Sequence, residues 1–410
     1  MNSKIQVLLL LLSCNFFEVL LLSCKNEDGK DVDCEKLQLE SPGAHYIKTT
    51  SEIVLEGGFA TQLELVFMIE KLPRLTDSRN DISNGKGYVY LDSSNSTWKE
   101  GKSQITDDSN PLGNTLSDLY SKSKNIAYII FNDEKPSGSW TEDFGHTKGF
   151  LAADNNTGFY VTHSVPKFPP AVANGYGYPH SGEKYGQAAM CISIKSDQVD
   201  KIGQYIVIFF HFINFNANNK PKKYVGSLGA QIRINEPWVY DHNMPADLKA
   251  NYPNLYKAMI QEVPDHDSRV SSFSSANGTI FTSFAKSGDY GKDLYASLVA
   301  QKLETDIQTE TWWIHCDQNR LNASCDTDYK VYNVENLNYD VVDVSFTNYN
   351  DHSKFVVSVH SQKPWVCVGD INRATTQFRR GGGTTCLKDL SIWKSYHNIV
   401  TKTDDCDSRQ

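Results

Sequence analysis

The 410-residue chain contains no Cys-x-x-Cys pair, so the spacing that most often marks a cysteine metal site is missing. A positive surplus is missing too. Forty Lys and Arg against 49 Asp and Glu leave a net charge of −9 at pH 7, without the basic balance usual for nucleic-acid binders. No low-complexity linker divides the chain, and no carboxylate cluster of the kind two-metal hydrolysis needs is evident. The one long apolar stretch, at the N-terminus, is interrupted by Asn15 and Glu18, which counts against a retained membrane span. What remains is ordinary for a soluble globular protein: 40% hydrophobic and 22% charged residues, in a length that suits one large or two medium domains.

The N-terminus reads as an export signal over residues 1–23. Lys4 supplies the positive end, Val7 to Leu12 an apolar core, and Leu20-Leu21-Leu22-Ser23 precedes Cys24. Leu-Leu-Ser-Cys also resembles a bacterial lipoprotein cleavage site. Removing Cys14 with the leader leaves eight of the nine cysteines, an even number that suits disulfides in an oxidising compartment. Glycosylation acceptor triplets occur at Asn95, Asn155, Asn277 and Asn322. Together these features predict a secreted or lysosomal protein.

Strands are expected at Ile53–Leu55, Leu63–Ile69, Tyr88–Leu91, Ile126–Phe131 and Tyr205–Phe215, and in the run Thr311-Trp312-Trp313-Ile314. Helices are expected at Leu112–Lys122, 237–262 and Leu294–Leu303. Such alternation predicts an α/β or α+β sandwich. Residues 170–183 read as a loop near the functional site, and 216–231 as a polar insertion.

The most informative pattern is a pair of short motifs. Asp351-His352-Ser353-Lys354 leads into the β-branched and aromatic run Phe355-Val356-Val357-Ser358-Val359. In a strand, His352 and Lys354 would share a face, because side chains alternate with period two. Gly145-His146-Thr147-Lys148-Gly149 repeats the spacing and again leads into an apolar run. Thirteen residues beyond each histidine begins an aromatic-led segment, Phe159-Tyr160-Val161-Thr162 in one case and Trp365-Val366-Cys367-Val368 in the other. His163-Ser164 and Gly369-Asp370 then fall in step. This is the mark of a duplication, with one site built from two half-sites. An imidazole and an ammonium side by side suit a phosphate diester: the histidine as nucleophile or proton carrier, the lysine as a clamp on phosphoryl oxygens. Asp370 is a candidate to orient one imidazole, with Asn372 as a further polar contact; a turn beginning at Gly369-Asp370 explains them equally simply. His163 reads either as part of the site or as a buried histidine bonded to backbone ahead of Pro166. Arg379-Arg380-Gly381-Gly382-Gly383 reads as an anion loop or a tight turn. Trp312-Trp313 reads as core more readily than as a base-stacking platform.

These motifs resemble those of the deoxyribonuclease II family. Thr162-His163-Ser164-Val165-Pro166-Lys167-Phe168-Pro169-Pro170, Tyr185-Gly186-Gln187, Pro237-Trp238-Val239-Tyr240, Ser283-Phe284-Ala285-Lys286 and Asp293-Leu294-Tyr295 continue the likeness, as does Pro364-Trp365-Val366-Cys367-Val368-Gly369-Asp370-Ile371-Asn372-Arg373. Phe355-Val356 departs from the Trp-Cys usual there, which loses a free thiol and nothing catalytic. The resemblance implies a phospholipase D-like pseudodimer: two similar halves, each a mixed sheet flanked by helices, sharing one active site. It implies one domain over 24–406, with halves of about 24–215 and 232–406 and a tail at 407–410. It implies disulfides Cys24–Cys191, Cys325–Cys406 and Cys367–Cys386, leaving Cys34 and Cys316, which parity alone would pair. It implies catalytic His146, Lys148, His352 and Lys354, double-stranded DNA as substrate, acid endonuclease activity leaving 3′-phosphates through a phosphohistidine, and neither cofactor nor metal. Protonating all eleven histidines would bring the net charge from −9 to +2, so an acidic compartment would relieve repulsion from DNA. A phospholipase would carry Asp five residues after each lysine; Ala153 and Val359 stand there instead. The competing reading is a secreted member that keeps the fold, has lost activity, and serves as a binding or host-interaction protein.

Overall fold

The computed structural model describes residues 22–29, 66–76, 78–138, 141–200, 227–264, 266–312 and 318–406. The leader up to residue 21, Cys34, Cys316, the strands expected at Ile53–Leu55 and Tyr205–Phe215, Trp313-Ile314 and the tail 407–410 lie outside them.

Among the described residues the first sheet contains β1 (Val66–Lys71), β2 (Tyr88–Asp92), β3 (Asn95–Glu100), β4 (Ala127–Asn132), β5 (Lys148–Ala153), β6 (Thr157–His163), β7 (Gln187–Lys195) and β8 (Val239–Asn243). Their order is β3-β2-β1-β7-β6-β5-β4-β8. The second contains β9 (Ser268–Ser274), β10 (Ile280–Lys286), β11 (Ile307–Glu310), β12 (Val331–Tyr339), β13 (Val344–Thr347), β14 (Phe355–Ser358), β15 (Trp365–Gly369) and β16 (Gly382–Lys388), with β17 (Val400–Thr403) beside β12. Its order is β13-β12-β11-β14-β15-β16-β10-β9, with β11 and β12 parallel.

Period-two alternation sorts each central strand into two buried faces. In β1, Val66 and Met68 point into a layer shared by both sheets, whereas Phe67 and Ile69 point away from it. In β14, Phe355 and Val357 enter the shared layer and Val356 the opposite one. The outer face of the first sheet is covered by α1 (Pro111–Lys122) through Leu112, Leu116 and Leu119. This helix starts where Asn110 caps it, its side chain accepting from the N–H groups of Leu112 and Gly113 at 2.9 and 3.1 Å, with Pro111 in the first turn. The outer face of the second sheet is covered by a π-helical turn, Tyr295–Val299, that runs on into the short helix Ala300–Leu303. The fold is α+β: helix, sheet, sheet, helix, with the largest apolar core between the sheets.

The two halves repeat a five-strand unit. β1-β7-β6-β5-β4 matches β10-β16-β15-β14-β11 in order, with α1 falling between β1 and β4 in the chain and the Tyr295–Leu303 helix between β10 and β11. β5 and β14, the strands that follow the two His-x-Lys motifs, hold the same place in this unit.

Several expectations are adjusted. Residues 237–262 are not one helix: Val239–Asn243 pairs with β4 as the edge strand β8, and helix begins only at Pro253, running to Met259. The β-forming Val239-Tyr240 finds a sheet edge, and the aromatic and aliphatic residues that imitated a helical face are divided between two elements. β11 ends at Glu310, before Trp312. The helix expected at Leu112 and the strands at Tyr88 and Ile126 lie within one or two residues of the expected boundaries. Leu22 and Ser23 are buried, and the Leu22 N–H donates to Thr157 Oγ1 at 3.0 Å, so the folded body includes the two residues before Cys24.

All three disulfides implied by the resemblance are present: Cys24–Cys191, Cys325–Cys406 and Cys367–Cys386. Cys367 and Cys386 face each other in the β15–β16 register and are fully buried, 19 residues apart. Closing a loop of that length restricts the unfolded chain by an amount worth about 3 kcal/mol. Replacing both cysteines with alanine is expected to lower the unfolding free energy by about that amount. Chemical denaturation, comparing midpoints at equal slope, measures it.

Candidate active site

The two His-x-Lys segments meet where the halves touch, and each is completed by the opposite half. His146 and His352 stand just before β5 and β14, in segments whose backbones bond across the junction. The His146 N–H donates to Gly381 O at 2.8 Å, and the Gly145 N–H to Glu236 O at 2.8 Å. In the other half the His352 N–H donates to Gly186 O at 2.9 Å, and the Gly186 N–H to Asn350 O at 2.8 Å. The approach is close enough to require glycine. A Cβ on Gly145 would lie 1.8 Å from Asn235 O, and one on Gly186 2.2 Å from Asp351 Oδ1.

The imidazoles are held in the same reciprocal way. His146 Nδ1 lies 2.6 Å from the backbone carbonyl of Asp370. His352 Nδ1 lies 3.1 Å from Gln187 Oε1, which also accepts from Ser164 Oγ at 2.6 Å. Both acceptors are carbonyl-type oxygens, so each Nδ1 carries hydrogen and each Nε2 is left for chemistry. Asp370 orients His146 through its carbonyl, not its carboxylate. The carboxylate accepts from Thr147 Oγ1 at 2.5 Å, from the Lys148 N–H at 3.3 Å and from the Gly383 N–H at 2.9 Å, fastening the first motif to β16. Burial raises its pKa to about 6, against the pull of those bonds.

The histidines keep 8% of their surface exposed, whereas Lys148 and Lys354 keep 2% and 0%, so the histidines are the more open to solvent. Lys148 is ion-paired with Asp133, at the end of β4, and the Asp133 Oδ2 also meets Arg380 Nη2 at 3.2 Å and His146 Nε2 at 3.8 Å. Lys354 Nζ donates to His352 O at 2.5 Å. Burial, then Lys148, push the His146 pKa well below the usual imidazole range, with Asp133 opposing. Burial, then Lys354, Lys148 and His146, do the same to His352. Burial, then Lys148, lower Lys354. An anion arriving between these cations would reverse each of those charge effects.

A buried carboxyl group sits behind His352. Glu70 accepts from Tyr396 OH at 3.3 Å and lies 3.0 Å from Ser353 Oγ, which donates to Asp351 at 2.6 Å. Glu310, fully buried, has no hydrogen-bond partner on either oxygen, and burial followed by Asp351 raises its pKa. Among the described residues no group of three or more His, Cys, Asp or Glu is arranged to hold a metal ion.

The remaining candidates fall around this centre. His163 is fully buried among Phe150 and Phe168, and its Nδ1 accepts from the Val165 N–H at 3.2 Å. Asn372 has a buried side-chain oxygen with no hydrogen-bond partner, and the bonds that orient the imidazoles go to Asp370 and Gln187 instead. Gly382 and Gly383 belong to β16, so the glycine run is strand and crossing point, not an anion loop. Arg380 turns inward to Asp133 and to the carbonyls of Phe144 and Thr141, both at 3.1 Å. Trp312 is half-buried beside His352, their rings 4.7 Å apart. All four acceptor asparagines are exposed. Asp133 and Glu310 escaped the sequence reading, and Gln187 entered it only as part of a family motif, without a role. The signal for Asp133 was a carboxylate closing the apolar run Ile126–Phe131, one residue past a buried strand.

The family model for Deoxyribonuclease II matches residues 66–406. Plancitoxin-1 of Acanthaster planci is 32% identical over 350 residues, 83% of this chain and 89% of that protein. Deoxyribonuclease-2-beta of Rattus norvegicus is 32% identical over 390 residues, 94% of this chain and 93% of that one. Deoxyribonuclease-2-alpha of Mus musculus is 32% identical over 351 residues, 83% and 90% of the two chains.

His163 gives a test of how burial and charge act here. Burial, then Lys148, bring its pKa to about 3, so it stays neutral in the fold through the range where an unfolded histidine takes up a proton. Between pH 6.5 and 3 the unfolded state therefore binds more protons, and stability falls with pH. His163→Phe is expected to remove that slope. Relative to wild type, the variant should gain up to about 1.4 kcal/mol per unit of pH lowered below 6.5, on top of a constant loss from the orphaned Val165 N–H. Urea unfolding at pH 7, 6, 5 and 4 reads both.

Proposed function

The chain belongs to the deoxyribonuclease II family, and from that premise we propose that it is an acid endonuclease cleaving double-stranded DNA to 3′-phosphate ends through a phosphohistidine, without a metal ion. One observation carries the reading: two imidazoles and two lysines from duplicated motifs meet at one junction, with both Nε2 atoms unclaimed by the bonds that orient the rings. One imidazole attacks phosphorus while the other, protonated, donates to the departing 5′ oxygen. The second then takes a proton from water, which attacks the phosphorus–nitrogen bond and leaves a 3′-phosphate. Lys148 and Lys354 stabilise the charge on the non-bridging oxygens, the duty a divalent cation performs elsewhere.

The environment of the pair supports action in acid. Burial and neighbouring cations keep both imidazoles largely neutral in the empty site, so a low pH and a bound phosphate favour loading one of them with a proton. Acid also reduces the net negative charge that would repel DNA. Three disulfides and four exposed acceptor asparagines support a secreted or lysosomal route. No helix among the described residues is long and apolar enough to cross a membrane. The inactive-binder reading would gain from the loss of one His or Lys of the four, and all are present.

Plasmid DNA at about pH 5 in excess chelator is the direct test. Nicking and linearisation with 3′-phosphate ends are expected, and His146→Ala and His352→Ala should each abolish turnover in folded protein. Lys148→Ala and Lys354→Ala should lower kcat about 10²- to 10³-fold. Strict magnesium dependence, or near-normal cleavage by both histidine variants, overturns the reading.

A further inference from the structure

The duplication allows the two half-sites to be compared position by position, and they differ at one informative place. In the β4–β5 register Asn132 faces Lys148, so Asp133 comes next along β4. In the β11–β14 register Glu310 faces Phe355, and continuing that register one step past the strand ends puts Thr311 opposite Lys354, with Trp312 next. Lys148 and Lys354 are the equivalent lysines, which makes Asp133 and Trp312 equivalent too. Each leans on the histidine of its own half. Asp133 Oδ2 is 3.8 Å from His146 Nε2, and the Trp312 ring is 4.7 Å from that of His352 at an interplanar angle of 60°. The opposite sides of the rings are matched, each Nδ1 resting on a carbonyl-type oxygen. The asymmetry between the histidines is thus a carboxylate at one and an indole at the other.

Resting on the two-histidine reading above, we propose that this broken equivalence divides the labour: Asp133 holds the proton on His146, which serves the leaving oxygen, and Trp312 leaves His352 unprotonated as the nucleophile. The charged groups facing His146 are Lys148, Asp133, Arg380 and Lys354. Asp133 supplies the largest opposing charge, and without it the strongest charge effects left on His146 are those of cations, with the Asp370 carboxylate nearby but bonded to Thr147 and the Lys148 and Gly383 N–H groups. His352 faces Lys354, Lys148 and His146, and among the described residues no carboxylate lies within ion-pair distance of its ring. An indole face attracts a cation weakly compared with a full negative charge at contact range. Arg380 gives Asp133 a fixed orientation, through Asp133 Oδ2 at 3.2 Å and the carbonyls of Phe144 and Thr141. Asp133 and Trp312 are positioning residues, acting through the imidazoles.

In the first step the lone pair of His352 Nε2 forms the phosphorus–nitrogen bond. The phosphorus–O5′ bond breaks, and its electron pair takes the proton from His146 Nε2, releasing a 5′-hydroxyl. In the second, water attacks phosphorus and passes a proton to His146, the phosphorus–nitrogen pair returns to His352, and a 3′-phosphate leaves.

The test uses a duplex oligonucleotide with sulfur in place of one bridging 5′ oxygen, since a thiolate departs without protonation. Single-turnover reactions at pH 5 are quenched and the covalent adduct mapped by peptide. In wild type the adduct should sit on His352. On the ordinary substrate His146→Ala and Asp133→Asn should be slower by about 10²-fold or more, and both should recover on the sulfur substrate, whereas His352→Ala should not. Asp133→Asn should also move the optimum to lower pH, because losing a carboxylate makes His146 harder to protonate, and Asp133→Glu should move it back. An adduct on His146, rescue of His352→Ala, or an unmoved pH optimum in Asp133→Asn overturns the assignment. Rescue confined to His146→Ala with no adduct on any residue overturns the covalent step, and with it the role of His352, while leaving a two-histidine nuclease standing. Wild-type mapping requires no variant to fold.

Discussion

Neither half of this molecule completes its own histidine, and the rest of the structure depends on that constraint. His146 is held by Gly381 through its backbone and by Asp370 through its ring; His352 is held by Gly186 and Gln187. Every one of those contacts crosses from one five-strand unit to the other. A shift of one sheet relative to the other would separate both imidazoles from their orienting oxygens at once, which is why the junction is built from backbone bonds, glycine approaches and the fully buried carboxylate bonds of Asp370. Pre-organisation of this kind would suit the proposed two-imidazole reaction, in which each ring faces the same phosphorus.

The cost of that arrangement is a concentration of charge in an apolar setting. Lys148, Lys354, Asp133, Arg380, Asp351, Glu70 and Glu310 are all buried. Their effects on stability oppose one another. Burial raises the pKa values of Glu70, Glu310, Asp351 and Asp370, so their folded forms hold protons more tightly than unfolded ones, and the stability they contribute is present in acid and lost as pH rises past about 4 toward their folded values. Asp133 runs the other way: although burial pushes it up, Lys148, His146 and Arg380 hold it below the usual carboxylate range, so its contribution fades only as pH falls below about 4. In mild acid the carboxyl groups strained at neutral pH are relieved before Asp133 is lost, while His146, His163 and His352, kept neutral by burial, pull stability the other way.

Much of this was legible in local sequence. The His-x-Lys pairs, their matched spacing to Phe159 and Trp365, and the strands that follow are short-range patterns, and the structure bears out the strands and the duplication. The three disulfides came from resemblance, since spacing alone cannot assign partners. What stayed hidden depends on contacts between distant residues. Gln187 meets His352 across 165 positions and Arg380 meets Asp133 across 247, and no periodicity reports such a meeting. Val239–Asn243 was misread because its aromatic and aliphatic neighbours imitate a helical face, while the β4 edge that claims it is more than a hundred residues earlier. Trp312 read as core and is half-buried against a ring of the site, an intermediate state that composition does not distinguish.

The match between the two five-strand units has a consequence for descent. An assembly of two identical chains around a two-fold axis must present the same side chain at both equivalent positions, so any change near one imidazole is a change near the other. Once the units are joined in a single polypeptide, each position mutates alone. Aspartate at 133 and tryptophan at 312 are a pair that a symmetric dimer of one gene product has no means to encode. The covalent link between the halves therefore makes asymmetry heritable, and selection can act separately on each side of the junction.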